Sequence, residues 1–141
     1  MKNFTYFRPT TAEQAVTLLE ARWGNTDMLA GGTVLLALQQ EYIAQPARVV
    51  SLNGIAGLQT IVVGERVATL GAGVTLAAIA DHPDLRRLFP ALTSAAGDIA
   101  GPQVRNMGTL GGNLCQRNRC WYFRDEHSPC LLRGGQRCSA I

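Results

Sequence analysis

A chain of 141 residues and 15.2 kDa, 47% of them apolar, has enough hydrophobic side chain for one packed domain. Charged residues at 16% exclude a disordered polyelectrolyte, and no apolar run approaches the length of a membrane span. The net charge of +3 is unevenly placed: residues 1–100 carry seven Lys/Arg against eight Asp/Glu, whereas residues 101–141 carry six arginines (Arg105, Arg117, Arg119, Arg124, Arg133, Arg137) against Asp125 and Glu126.

Phe4–Phe7 reads as a short strand stopped by Arg8-Pro9. Thr10, with Glu13 three residues on, forms a capping box for a helix carrying Ala15, Leu18, Leu19 and Arg22 at helical spacing and stopped by Gly24-Asn25. Asp27–Leu29 is a brief strand running into Ala30-Gly31-Gly32-Thr33, after which residues 34–40 read as a helix and residues 48–52 as a third strand. This alternation predicts a small β-α-β-α-β unit. The style then changes. Residues 58–63, a Gly64-Glu65-Arg66 turn and residues 67–71 predict a β-hairpin. Thr75 caps a helix through Asp81, Pro83 sits in the first turn of another, and residues 90–99 give a helix of small residues ending at Gly101-Pro102. A boundary near residues 52–55 divides the chain into a unit over 1–54 and a second over 55–141.

Two glycine clusters stand out. Consecutive glycines in Ala30-Gly31-Gly32-Thr33, between a strand and a helix, expose backbone N–H groups and remove the Cβ atoms that would keep a diphosphate at a distance. A tight turn with no ligand is the plainer reading of that loop alone. Neither the P-loop lysine nor the G-x-G-x-x-G spacing is present. The second cluster, Gly108-Thr109-Leu110-Gly111-Gly112-Asn113, repeats the device and adds side-chain hydrogen bonders in Thr109 and Asn113. Two such loops predict one long ligand held at two places.

All four cysteines, Cys115, Cys120, Cys130 and Cys138, fall in the basic segment 115–138 with spacing C-x4-C-x9-C-x7-C. No C-x-x-C pair occurs, which disfavours zinc ribbons and thioredoxin-like sites. The start of the chain shows no basic stretch followed by an apolar run, so secretion and disulfides are not expected and the chain reads as cytoplasmic. Four thiolates suit an iron–sulfur cluster, whose net negative charge the arginines would offset; buried small apolar cysteines are the alternative. His82 reads as a turn residue and His127 as a loop residue. No paired carboxylates and no Ser/His/Asp set stand out, so no catalytic residue is assigned. The arginines lack the basic helix or aromatic interleaving of a nucleic-acid surface.

The glycine clusters, with Phe7-Arg8-Pro9, Leu70-Gly71-Ala72-Gly73-Val74-Thr75-Leu76 and Gln103-Val104-Arg105-Asn106, make the chain resemble the FAD-binding subunit of the molybdenum hydroxylases: xanthine dehydrogenase, carbon monoxide dehydrogenase and aldehyde oxidoreductase. The resemblance implies an α+β, two-subdomain FAD-binding fold, in which the β-α-β-α-β unit is followed by a mixed, mainly antiparallel sheet with helices, the C-terminal part of the family fold being absent. It implies that Leu29, Ala30, Gly31, Gly32, Thr33, Val34 and Leu35 wrap the FAD pyrophosphate, that Thr109, Gly111, Gly112 and Asn113 hold its other side, and that Ile99 and Gly101 approach the flavin. The cysteine segment resembles the insertion that carries a [4Fe–4S] cluster in 4-hydroxybenzoyl-CoA reductase, with Cys120, Cys130 and Cys138 as ligands and Cys115 as the fourth. On this reading the chain is the N-terminal half of an electron-transfer subunit of an oxidoreductase, not catalytic alone, working with a molybdenum cofactor-binding large subunit and a [2Fe–2S] small subunit, without membrane or nucleic acid. A structural or metal-binding assembly module that has lost flavin is the alternative.

Overall fold

The computed structural model describes residues 2–20, 22, 24–117 and 120–141; Arg119, one of the six arginines of the basic segment, lies outside the described residues. The first fifty residues form strand β1 (Thr5–Phe7), helix α1 (Ala12–Thr17), β2 (Thr26–Leu29), α2 (Leu35–Gln40) and β3 (Arg48–Ser51). The three strands make a parallel sheet in the order β1-β3-β2, with Val50 opposite both Phe7 and Met28. A central parallel strand is covered on both faces, and its Val49 and Val50 are buried accordingly. Ala15 of α1 and Ile55 pack on Val50, with Phe7, Leu18, Leu19 and Leu58 around them.

The helix start differs from the expected capping box by one residue. Thr11, not Thr10, is the N-cap: its Oγ1 accepts from the Gln14 N–H at 3.2 Å, and Gln14 Oε1 accepts from the Thr10 N–H at 3.0 Å. The Thr-Thr pair made both registers available, and it is Gln14 that reaches the Thr10 N–H while the Glu13 carboxylate takes the Thr11 side chain. Helix α1 also stops at Thr17, short of Arg22, because the Thr17 hydroxyl donates to the Gln14 carbonyl and Leu18 closes the last turn onto Ala15.

Beyond residue 55 the hairpin is shorter than its apolar run: β4 (Ile61–Val63) pairs antiparallel with β5 (Ala68–Leu70), while residues 56–59 form a 3₁₀ turn. Leu58 is held there by the Gly73 N–H, which donates to its carbonyl at 2.6 Å. Helices α3 (Leu76–Asp81), α4 (Pro83–Leu88), α5 (Pro90–Asp98) and α6 (Pro102–Met107) follow, with α3 packed on both α5 and α6. Their core is Val74, Ile79, Leu85 and Ala96. Thr75 caps α3 by accepting from the Ala78 N–H, and His82 caps α4 through Nδ1, so the histidine is a helix cap. The second glycine cluster is itself helical over α7 (Leu110–Leu114). Helix α8 (Trp121–Arg124) and a 3₁₀ turn at Leu131–Arg133 complete the cysteine-rich segment.

Candidate functional site: a cavity between two glycine loops

The parallel sheet ends β2 at Leu29 and sends the chain through the first glycine loop into α2. Gly32 turns it with φ of 76°, a left-handed conformation that glycine adopts without a Cβ clash. The Ala30 carbonyl is fixed from outside the loop by the Asn53 side-chain amide at 3.2 Å. The second loop is zipped to residues 72–76: the Leu76 N–H donates to the Gly108 carbonyl, Leu110 N–H to Val74, and Gly111 N–H to Ala72, all at 2.8–2.9 Å. Thr109 is buried, and its hydroxyl caps α7 by accepting from the Gly112 N–H at 3.2 Å.

The two loops touch backbone to backbone. A Cβ built on Gly31 would lie 1.9 Å from the Met107 carbonyl oxygen, and one on Gly111 would lie 2.8 Å from the Ala72 Cβ. Only glycine permits this approach, and it closes one cavity of about 830 Å³ between the loops, large enough for a sizeable organic ligand. Of the residues predicted to bind a cofactor, Ala30, Gly31, Gly32, Thr33, Val34, Leu35, Ile99, Thr109, Gly111, Gly112 and Asn113 line this cavity. Leu29 does not; it ends β2, with its side chain against Gly32. Gly101 does not either; it is the N-cap of α6.

Sequence reasoning missed other lining groups. Asn53 and the Ala72-Gly73 pair reach the cavity from the connections after β3 and β5, and Leu58 from the 3₁₀ turn. The Leu70–Leu76 run had marked the right stretch without assigning it to the site. Cys115, expected as a metal ligand, lines the cavity together with Arg117 and Arg124.

Asp27 of β2 also lines the cavity. Burial pushes its carboxyl above the ordinary range, while the nearby Arg117 guanidinium pulls it back. The folded chain therefore binds this proton more readily than the unfolded chain. Its contribution makes stability fall as pH rises from the ordinary carboxylate value through the raised one, and the loss persists at neutral pH. Asp27→Asn is expected to be more stable than the parent at pH 7, with the difference fading below about pH 4; urea unfolding at the two pH values measures it.

The four cysteines are free thiols in different settings. Cys115 is exposed, Cys120 is the N-cap of α8, Cys130 is buried beside Leu38, Ile43, Ala44 and Phe123, and Cys138 is half-buried. Among the described residues no three His, Cys, Asp or Glu side chains gather into a group that could hold a metal ion. As placed, the four thiols do not gather as a cluster requires. The Arg133 guanidinium is spent on the backbone, donating to the carbonyls of Tyr122, Asp125, Glu126 and Ser128.

A family model described as the FAD binding domain in molybdopterin dehydrogenase matches residues 2–129, a span that contains both loops and every element lining the cavity. The chain belongs to this family. The chain is 39% identical to the aldehyde oxidoreductase FAD-binding subunit PaoB of Escherichia coli K12, across all of this chain and 44% of that subunit. It is 34% identical to the carbon monoxide dehydrogenase medium chain of Hydrogenophaga pseudoflava, across 79% of this chain and 39% of the relative. The solved structure of carbon monoxide dehydrogenase from that organism superposes with a TM-score of 0.75 at 34% identity, over 80% of this chain and 39% of the other. Quinoline 2-oxidoreductase from Pseudomonas putida 86 gives 0.73 at 29% identity, over 80% and 39%. The chain thus spans less than half the length of these relatives. Its own geometry fits the cofactor: the loops close on one cavity of about 830 Å³ that runs from Asp27 and Met28 of the parallel sheet to Val104 of α6. No helix among the described residues is long and apolar enough to cross a membrane.

Proposed function

We propose that this chain holds FAD in the electron-transfer subunit of a molybdenum-containing hydroxylase or dehydrogenase. The observation that carries the reading is the backbone contact of Gly31 with Met107, which joins two glycine loops around one cavity. In this reading the loop Ala30–Thr33 and the start of α2 at Val34 and Leu35 hold the pyrophosphate through backbone N–H groups, and Asn113 and Gly112 close on it from the second loop. The Thr109 hydroxyl accepts from the Gly112 N–H in capping α7 and retains its own O–H to donate toward the cofactor. When bound, FAD would supply the redox chemistry between an upstream centre and an acceptor, and the chain's own residues would bind, orient and shield it. No residue here serves as a general acid or base.

The partners of such a subunit would be a molybdenum cofactor-binding large subunit and a [2Fe–2S] small subunit, and its compartment the cytoplasm. A division near residues 54 and 55 is supported by the change from the parallel sheet to the antiparallel hairpin. Titration of the purified chain with FAD, FMN and AMP, followed by flavin fluorescence, tests the binding. FAD is expected to bind at one equivalent and far more tightly than FMN, which lacks the second phosphate. If FAD binds neither the chain alone nor the chain co-expressed with the large and small subunits, the chain is an assembly module without flavin.

The cysteine segment carries a separate proposal: Cys115, Cys120, Cys130 and Cys138 ligate a [4Fe–4S] cluster. Four soft donors within one basic segment support it. Cys130 would have to leave its apolar neighbours, so the segment would repack around the cluster. Anaerobic purification should then yield iron and acid-labile sulfide together, both lost on Cys130→Ser; zinc without sulfide overturns it.

A further inference from the structure

Ile99 and Ala100 line the cavity but belong to neither glycine loop. Ala100 has a left-handed backbone, φ 47°, although it is not glycine. The chain is cornered there between the end of α5 at Asp98 and Pro102, the first residue of α6. Proline forces the residue before it to be extended, and Gly101 has φ −93° and ψ 165°.

Three successive carbonyls of this corner converge on one residue. Arg105 Nη1 donates to the Ile99 carbonyl at 3.0 Å and to the Ala100 carbonyl at 2.7 Å, and the Arg105 backbone N–H donates to the Gly101 carbonyl at 3.1 Å. In a planar trans peptide the carbonyl and the following N–H point in opposite directions. The N–H groups of Ala100 and Gly101 therefore point away from the guanidinium. Among the described residues neither has a hydrogen-bond partner. Arg105 itself lines a different hollow, walled by Thr93, Gly97 and Asn106, so the corner stands between the guanidinium and the cofactor cavity.

We propose that Arg105 is a positioning residue: it turns the corner at Ile99 and Ala100, the two residues of it that line the cavity, so that the Ala100 N–H faces the bound cofactor as a donor to a carbonyl or ring-nitrogen acceptor of its isoalloxazine. The proposal rests on the FAD reading above. The apolar side chains of Leu58, Leu76 and Val104 line the cavity as well and suit the face of a flat ring. Reduction adds negative charge to the ring, so donors at its edge favour the reduced form and raise the reduction potential.

The test compares the parent chain reconstituted with FAD with Arg105→Gln, Arg105→Lys, Ala100→Gly and the Arg105→Gln/Ala100→Gly double variant, measuring FAD affinity, the reduction potential of the bound flavin and the melting temperature without FAD. Arg105→Gln is expected to raise the Kd for FAD about tenfold, as for one lost hydrogen bond to a polar ring, and to move the potential to a more negative value. Glycine holds a positive φ without steric conflict, so the double variant should recover most of both quantities. Arg105→Lys keeps the charge but not the fork, and should fall between parent and Gln; it keeps the question open to measurement if the Gln variant does not fold. Parent chain that binds no FAD overturns the FAD reading and this proposal with it. Parent chain that binds FAD, with Arg105→Gln unchanged in Kd and potential, overturns this proposal alone. Failure of the glycine double variant to recover overturns it too, since Arg105 would then act through the fold at large.

Discussion

Gly31→Ala is expected to destabilise the chain by about 3 kcal/mol, the upper end of what one added carbon does in a packed site, and to abolish FAD binding. Its Cβ would lie 1.9 Å from the Met107 carbonyl oxygen and 2.7 Å from the carbonyl carbon, and both neighbours are backbone. A side chain in the way could rotate aside; a peptide at the end of α6 moves only if the helix moves. The neighbouring glycines should rank below it. Gly32→Val pays for a positive φ, about 1–2 kcal/mol, and otherwise meets only the flexible tips of Leu29 and Leu36. Gly112→Val meets the hydroxyl of Thr109 at 3.0 Å and threatens the α7 cap more than the fold. Gly57→Ala, with open space around it, should change stability by no more than about 0.5 kcal/mol. Urea unfolding of the four variants, with FAD titration of each, gives the order directly. A Gly31→Ala chain of normal stability would mean that the loops do not meet as described.

Arg133→Ala is the second large effect expected, and it is local. One guanidinium holds the carbonyls of Tyr122, Asp125, Glu126 and Ser128, and a charged donor is worth about 1.5–3 kcal/mol per bond in a buried setting and less where water competes. With the side chain gone, the side-chain hydrogen bonds left on residues 121–133 include those of Arg117 to the Leu132 carbonyl, of Ser139 to the Pro129 carbonyl and of Ser128 and His127 to Asp125, beside the apolar packing of Phe123 and Cys130 on Leu38, Ile43 and Ala44. The segment should open while the parallel sheet stays folded. The reporter is Cys130, buried in the parent chain beside Phe123 and Leu38. In Arg133→Ala its thiol should react with an aromatic disulfide reagent at a rate approaching that of exposed Cys115, and amide exchange at 121–133 should accelerate while that at Val49 and Val50 does not. Arg133→Lys, with a single donor group, should protect Cys130 only in part.

Much of the scaffold could be read from local chemistry. The strand–helix–strand alternation before residue 52 follows from apolar strands punctuated by glycine and a threonine cap, and proline marks the first turns of α4 and α5 where its missing N–H does no harm; Gly101-Pro102, read as the stop of one helix, also opens another, the unexpected α6. What local chemistry left ambiguous was the choice between equals, as at Thr10 and Thr11. Helix α7 was hidden for another reason: Leu-Gly-Gly-Asn-Leu contains two of the poorest helix formers in sequence, and the turn forms because the Thr109 cap and the contact of Gly111 with Ala72 hold it from outside. The site was legible where glycine itself is the signal, at Gly31, Gly32, Gly111 and Gly112. It was not legible at Asp27, Asn53 or Leu58, ordinary residues that reach the cavity only because the sheet and the 3₁₀ turn carry them there. The cysteines were conspicuous by type, yet their spacing said nothing of Cys130 being packed in an apolar cluster.

The seat of Gly31 on Met107 also sets an order of assembly. The parallel sheet is complete once β3 has formed, so the first loop exists early, but the carbonyl it rests on belongs to the far end of α6. During synthesis the loop must wait while the hairpin and four helices are made and packed, because a contact between residues so distant along the chain closes late. The cavity cannot exist before its far wall, drawn from Gly108 to Arg124, has been made, and a chain interrupted before Met107 would lack that wall entirely.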